Sequence, residues 1–111
     1  ALVGYWPAAL FSHLSGPANM VEWGGEVVDS RPEGRHTATQ MGSGRFPEEG
    51  FGRASYFRSL QVVDDGNNLG PAPGLTAISE HQECYAIRTA ANEAWGDHFY
   101  YGGPGWNPLC P

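Results

Sequence analysis

Glycine and proline set the first limit on what this chain can become. Nine prolines and sixteen glycines interrupt 111 residues, and no window repeats apolar residues at helical spacing for more than about three turns. Long helices are therefore excluded, and short strands joined by turns are what remain. At this length the chain is one domain, residues 1–111, or a part of one, able to hide roughly 65% of the surface its unfolded form exposes. Any core it builds is thin.

Along the chain, residues 1–6 look like a strand already under way, and Pro7 opens a short helical turn through Leu10 and Leu14 that Gly16 and Pro17 end. Residues 19–28 give the clearest period of two. Val21, Trp23 and Val27 fall on one face, while Met20, Glu22, Gly24, Glu26 and Val28 fall on the other. Residues 29–36 read as a polar turn region, 37–44 as another strand, and 45–52 as a loop. Residues 54–63, rich in Tyr56, Phe57, Leu60, Val62 and Val63, read as one strand buried on both faces. Residues 64–68 are a turn cluster, and 70–74, with two prolines, extend it into a loop without a ladder role. Residues 84–90 and 97–101 are the last two strands. The pattern predicts an all-β antiparallel sandwich, or part of one, with one short helix near the N-terminus.

Charge narrows the partners. The formal charge is -6, and the six basic residues, Arg31, Arg35, Arg45, Arg53, Arg58 and Arg88, are scattered. Nucleic acid and anionic membranes need clustered positive charge, so neither is expected as a partner. No stretch approaches the ~20 apolar residues that span a bilayer, and Ala1 does not open a signal peptide, so the chain reads as soluble and mature, or as a fragment. The two cysteines, Cys84 and Cys110, suit one bridge that suggests an oxidising compartment, with two free buried thiols as the alternative. His13, His36, His81 and His98 lie far apart in sequence, and His81 and Cys84 lack a second close pair, so no metal or cofactor is expected. Ser43 stands in Gly42-Ser43-Gly44 without the flanking pattern of a nucleophile elbow.

Five segments together carry a resemblance: Gly4-Tyr5-Trp6-Pro7, Trp23-Gly24-Gly25-Glu26, Thr39-Gln40-Met41-Gly42-Ser43-Gly44, Phe46-Pro47-Glu48-Glu49-Gly50-Phe51, and Phe99-Tyr100-Tyr101-Gly102-Gly103-Pro104-Gly105. In that order they resemble the neprosin domain of plant proteins, over essentially the whole chain. The resemblance implies a secreted endopeptidase, in the cell wall, vacuole or outside the cell, that is active in acid and cleaves after proline with two glutamates. It implies that Glu26 is one of them, and that the other precedes Gly4-Tyr5-Trp6-Pro7 in a half of the domain this sequence does not contain. The expected partners are then a peptide or protein substrate and either that N-terminal half or a second copy of the chain.

The chemistry fits a carboxylate pair. Peptide hydrolysis by carboxyl groups needs one ionised to take a proton from water and one protonated to donate, and neighbouring acids split their titrations in this way. Glu22 is a poor partner for Glu26, because four residues of extended strand separate them by about 13 Å. Gly24 offers no side chain beside Glu26, so a substrate backbone can approach there. Gln40 can donate to a developing oxyanion, its alternative being a strand glutamine bonded to a loop. Trp23, Tyr56, Tyr100 and Tyr101 can wall a proline pocket, although aromatics dominate sandwich interiors and filling a core is the expected role of each. Glu48 and Glu49 are expected to face water. Besides the peptidase, an inactive remnant that self-associates through β edges and a sugar-binding module are the readings left open.

Overall fold

A computed structural model describes residues 3–30 and 34–111. Within them the chain is all-β and antiparallel. Strands β1 (Ser55–Phe57), β4 (Ala86–Asn92) and β5 (Gly96–Gly102) form a sheet in the order β1-β5-β4, and β2 (Gln61–Val63) pairs with β3 (Leu69–Pro71).

The β4–β5 hairpin is the spine, in register from Ala86↔Gly102 to Asn92↔Gly96. Its tip is a three-residue loop in which the Asn92 side-chain oxygen accepts the Trp95 N–H at 2.7 Å, and Gly96, the residue after the loop, takes a left-handed conformation that glycine adopts without cost from a side chain. β1 adds to the other side of β5 through Tyr56↔Tyr100. In the β2–β3 hairpin, the Asp64 carboxylate accepts the Asn68 N–H at 2.9 Å and holds the turn. The two sheets are joined by backbone bonds: Ser59 N–H to the Trp95 carbonyl, Leu60 N–H to the Asp97 carbonyl, and Ala72 N–H to the Leu60 carbonyl.

Aromatic side chains divide between the faces of the three-stranded sheet because successive strand residues point in opposite directions. Phe57, Phe99 and Tyr101 pack on one another on one face. Tyr56, Tyr100 and His98 lie on the other, where Trp95 and Phe51 join them and the Arg58 guanidinium stands 5.3 Å from the Trp95 ring.

The core is small. Ala54, Leu60, Cys84, Phe99 and Cys110 are its buried apolar residues among those described. The radius of gyration is 16.9 Å, against about 13 Å for a compact domain of this length. Much of the difference lies in residues 3–30, where Val3, Trp6, Leu10, Leu14, Met20 and Val28 are largely exposed.

Several expectations need correcting. Residues 19–28 form no strand, because period-two patterning makes a strand only where a neighbour completes the ladder, and none does here. The same holds for residues 3–6; Ala1 and Leu2, and residues 31–33 of the polar turn region, lie outside the described residues. The N-terminal helix is one 3-10 turn, Ala8–Leu10. Residues 37–44 contribute a single bridge, Met41↔Gly103, instead of a strand. The strand expected over 54–63 breaks in two at Ser59, whose φ is +54°. Residues 70 and 71, expected to lack a ladder role, end β3: Pro71 needs no donor at the end of a two-stranded ribbon. The 45–52 loop contains a 3-10 turn, Pro47–Glu49. There Glu49 pairs with both Arg45 (3.8 Å) and Arg53 (3.4 Å) and does not simply face water.

Candidate active site

The Trp23-Gly24-Gly25-Glu26 segment is placed by one close approach. A β-carbon on Gly25 would lie 2.8 Å from Met41 Cγ and 3.2 Å from Tyr101 Cε2, so only glycine lets the segment lie against this surface without displacing it. Met41 is itself fixed by reciprocal backbone bonds with Gly103, N–H to carbonyl at 3.0 and 3.3 Å. Gly103 in turn lies so close to the Cys84 carbonyl and the Tyr85 Cα that no side chain fits there. Glu26 therefore stands one residue from a contact that leads through Met41 and Gly103 to the central hairpin.

Glu26 is exposed, and its carboxylate takes no hydrogen bond or ion pair among the described residues. Gly24 is open on its side-chain side, with nothing within 4 Å of where a β-carbon would be. Trp23 is half-buried. Gln40 precedes Met41, and its amide folds over the turn at Gly44, whose N–H bonds the Met41 carbonyl at 3.0 Å. Glu26 and Gln40, distant in sequence, thus flank the same Gly25–Met41 contact.

Tyr56 is placed elsewhere. It lies with Tyr100 on the sheet face opposite Tyr101, the residue Gly25 meets, so the sheet stands between Tyr56 and that contact. A surface depression lined by Ser59, Leu60, Gln61, Pro71 and Trp95 also excludes the Glu26 segment.

Just beyond Glu26, Asp29 comes near Tyr85. Burial, then the Asp29 charge, hold the Tyr85 phenol above its usual pKa of 10.0. The Tyr85 hydroxyl donates to the Thr39 carbonyl at 2.8 Å, tying the 37–44 segment to the start of β4.

Cys84 and Cys110 are joined in a disulfide, with their Cα atoms 5.4 Å apart. The fold also does what sequence separation concealed: it brings His36 to this bridge, with the ligand atoms of His36, Cys84 and Cys110 all within 4.8 Å of one another. The His36 ring lies 4.4 Å from that of His81. The only signal available in the sequence was the short His81–Cys84 spacing, which contains Cys84 but neither His36 nor Cys110.

The order and content of the motifs agree with a comparison against protein families. The Neprosin family model matches residues 1–104, nearly the full length, and the chain belongs to the Neprosin family.

Proposed function

We propose that the chain is the catalytic-glutamate-bearing part of a secreted acid endopeptidase that cleaves after proline. Glu26 is one catalytic carboxylate, and a second glutamate comes from outside this chain, from the N-terminal half of the same domain. The observation that carries this reading is an exposed carboxylate without a partner among the described residues, beside an open glycine, in a chain of the Neprosin family.

In that role Glu26 shares a water with the second glutamate, one group taking the water's proton while the other donates to the carbonyl oxygen or leaving nitrogen. Open space at Gly24 admits the substrate backbone. The Gln40 amide is the candidate donor to the oxyanion, and Trp23 supplies an apolar wall. The disulfide suits an extracellular or vacuolar setting.

A specific observation favours a second reading. Most apolar side chains of residues 3–28 are exposed, Trp23 and Val27 being half-buried, as expected of a segment that finds its cover in another polypeptide. An inactive remnant that self-associates through strand edges would also cover them.

The test is an acid-pH assay on a proline-containing peptide with the wild type and Glu26→Gln, each with and without any co-purifying chain. Loss of activity by about 10²–10⁴-fold in Glu26→Gln is expected for a general acid–base group. Activity that survives the substitution removes Glu26 from the mechanism.

A further inference from the structure

The disulfide has an unusual neighbour. Cys84 is fully buried and Cys110 is 5% exposed, yet a half-buried imidazole, His36, stands within 4.8 Å of both sulfurs. This placement is enforced by the backbone: Trp106 N–H bonds the Thr37 carbonyl at 2.8 Å, laying residues 36–39 along the tail that carries Cys110. His36 also borders a depression lined by Arg35, Ala38, Trp106 and Pro111, so it can be reached from solvent.

Two sulfurs and one imidazole within this radius are the donor set of a borderline-soft divalent cation. In a tetrahedral zinc site with ordinary bond lengths, the ligand atoms sit about 3.5–3.8 Å apart. Once they are no longer bonded to each other, the two sulfurs must move apart to that separation, while the imidazole closes by about 1 Å at most. The fourth position falls to water, and the His81 ring stands 4.4 Å from that of His36.

We propose that reduction of Cys84–Cys110 converts this cluster into a Zn²⁺ site formed by His36, Cys84 and Cys110. The reductant is a dithiol: the protein S–S bond breaks, the dithiol closes into its own disulfide, and its two protons and two electrons leave Cys84 and Cys110 as thiols. Zn²⁺ then displaces those two protons and binds both thiolates and the neutral imidazole. This site is separate from Glu26 and does not depend on the peptidase reading.

The experiment reduces the full chain with a trialkylphosphine, which takes up water oxygen as it delivers two electrons and adds no competing thiol. Co²⁺ is then titrated in as an optical stand-in and displaced with Zn²⁺. One equivalent of Co²⁺ should give thiolate-to-metal charge-transfer and tetrahedral ligand-field absorption, both abolished by Zn²⁺. His36→Ala should weaken affinity by at least the ~10–100-fold that loss of an outer-shell partner costs. Cys84→Ser/Cys110→Ser should show neither band. Circular dichroism in parallel covers the case in which the reduced chain unfolds, where recovery of the native spectrum on adding Zn²⁺ supports the site. No thiolate band, a band indifferent to His36→Ala, or a reduced chain that Zn²⁺ fails to refold overturns the proposal.

Discussion

Adjacent glycines at 24 and 25 should respond oppositely to the same small change. Neither has a left-handed φ, so alanine is conformationally acceptable at both. At Gly25 the new methyl would lie 2.8 Å from Met41 Cγ, 3.1 Å from its sulfur and 3.2 Å from Tyr101 Cε2, where ordinary contact begins near 3.4 Å. The Met41 side chain can yield, but Met41 is anchored to Gly103 and Tyr101 is packed against Phe57 and Phe99. Overpacking of this kind costs about 1–3 kcal/mol, which a domain of this size registers as a fall in Tm of about 4–8 °C per kcal/mol. At Gly24 the methyl meets nothing, and a less flexible unfolded chain raises stability by about 0.4–1 kcal/mol. Urea titrations of Gly24→Ala, Gly25→Ala, Met41→Ala and Gly25→Ala/Met41→Ala supply the measurement. Removing the Met41 side chain relieves the crowding, so the double-mutant cycle should show a favourable coupling of at least about 0.5 kcal/mol. Equal losses at the two glycines, or a coupling of zero, would mean that Gly25 does not rest on Met41 in solution and that Glu26 is not held as described.

Further outcomes follow from the same geometry. Replacing the disulfide, which spans a sequence separation of 26, by Cys84→Ser/Cys110→Ser should cost about 3.5 kcal/mol in urea unfolding; a loss under about 1 kcal/mol would contradict the chain-entropy account. The raised Tyr85 pKa means that the neutral phenol's contribution is fully present below pH 10 and lost as pH rises through the folded value. Tyr85→Phe should flatten that alkaline decline and, through loss of the bond to the Thr39 carbonyl, cost about 1 kcal/mol at neutral pH; an unchanged alkaline slope would refute the assignment. Asp64 is held below the usual carboxylate pKa, first by the Asn68 backbone N–H, so its contribution is present above pH 3.8 and lost as pH falls through the folded value. Asp64→Asn should remove this part of the acid dependence, as seen in stability measured across pH 2–5.

The sequence was legible where structure is local. The β4–β5 hairpin combines a strand-rich run, an Asn and a Gly at the tip, and consecutive aromatic residues, and residues 86–102 form it close to where strands were expected. The Neprosin motifs were readable for a similar reason: each is a contiguous cluster. What escaped was set by partners. Residues 19–28 alternate as well as any strand, but a ladder needs a second strand, and their pattern contains no information about one. Pro71 misled in the other direction, since its missing N–H forbids a central position but not the end of a ribbon. The contact between Gly25 and Met41, and that of His36 with Cys84 and Cys110, join segments 16 or more residues apart by way of Gly103 and Trp106, and no local spacing encodes such closure.

The division of aromatic side chains across β5 limits how this chain can vary. Phe99 and Tyr101 face one way, His98 and Tyr100 the other, and β5 is paired on both sides. Losing or gaining a single residue in the loop between Asn92 and Gly96 would slide β5 by one position and exchange the two sets wholesale, bringing the Phe99 ring to the face where the smaller, buried His98 packs under Trp95. Changes of length at this tip must therefore come in twos or be absorbed by a bulge, whereas the identities of Glu93 and Ala94, both exposed, are free to drift.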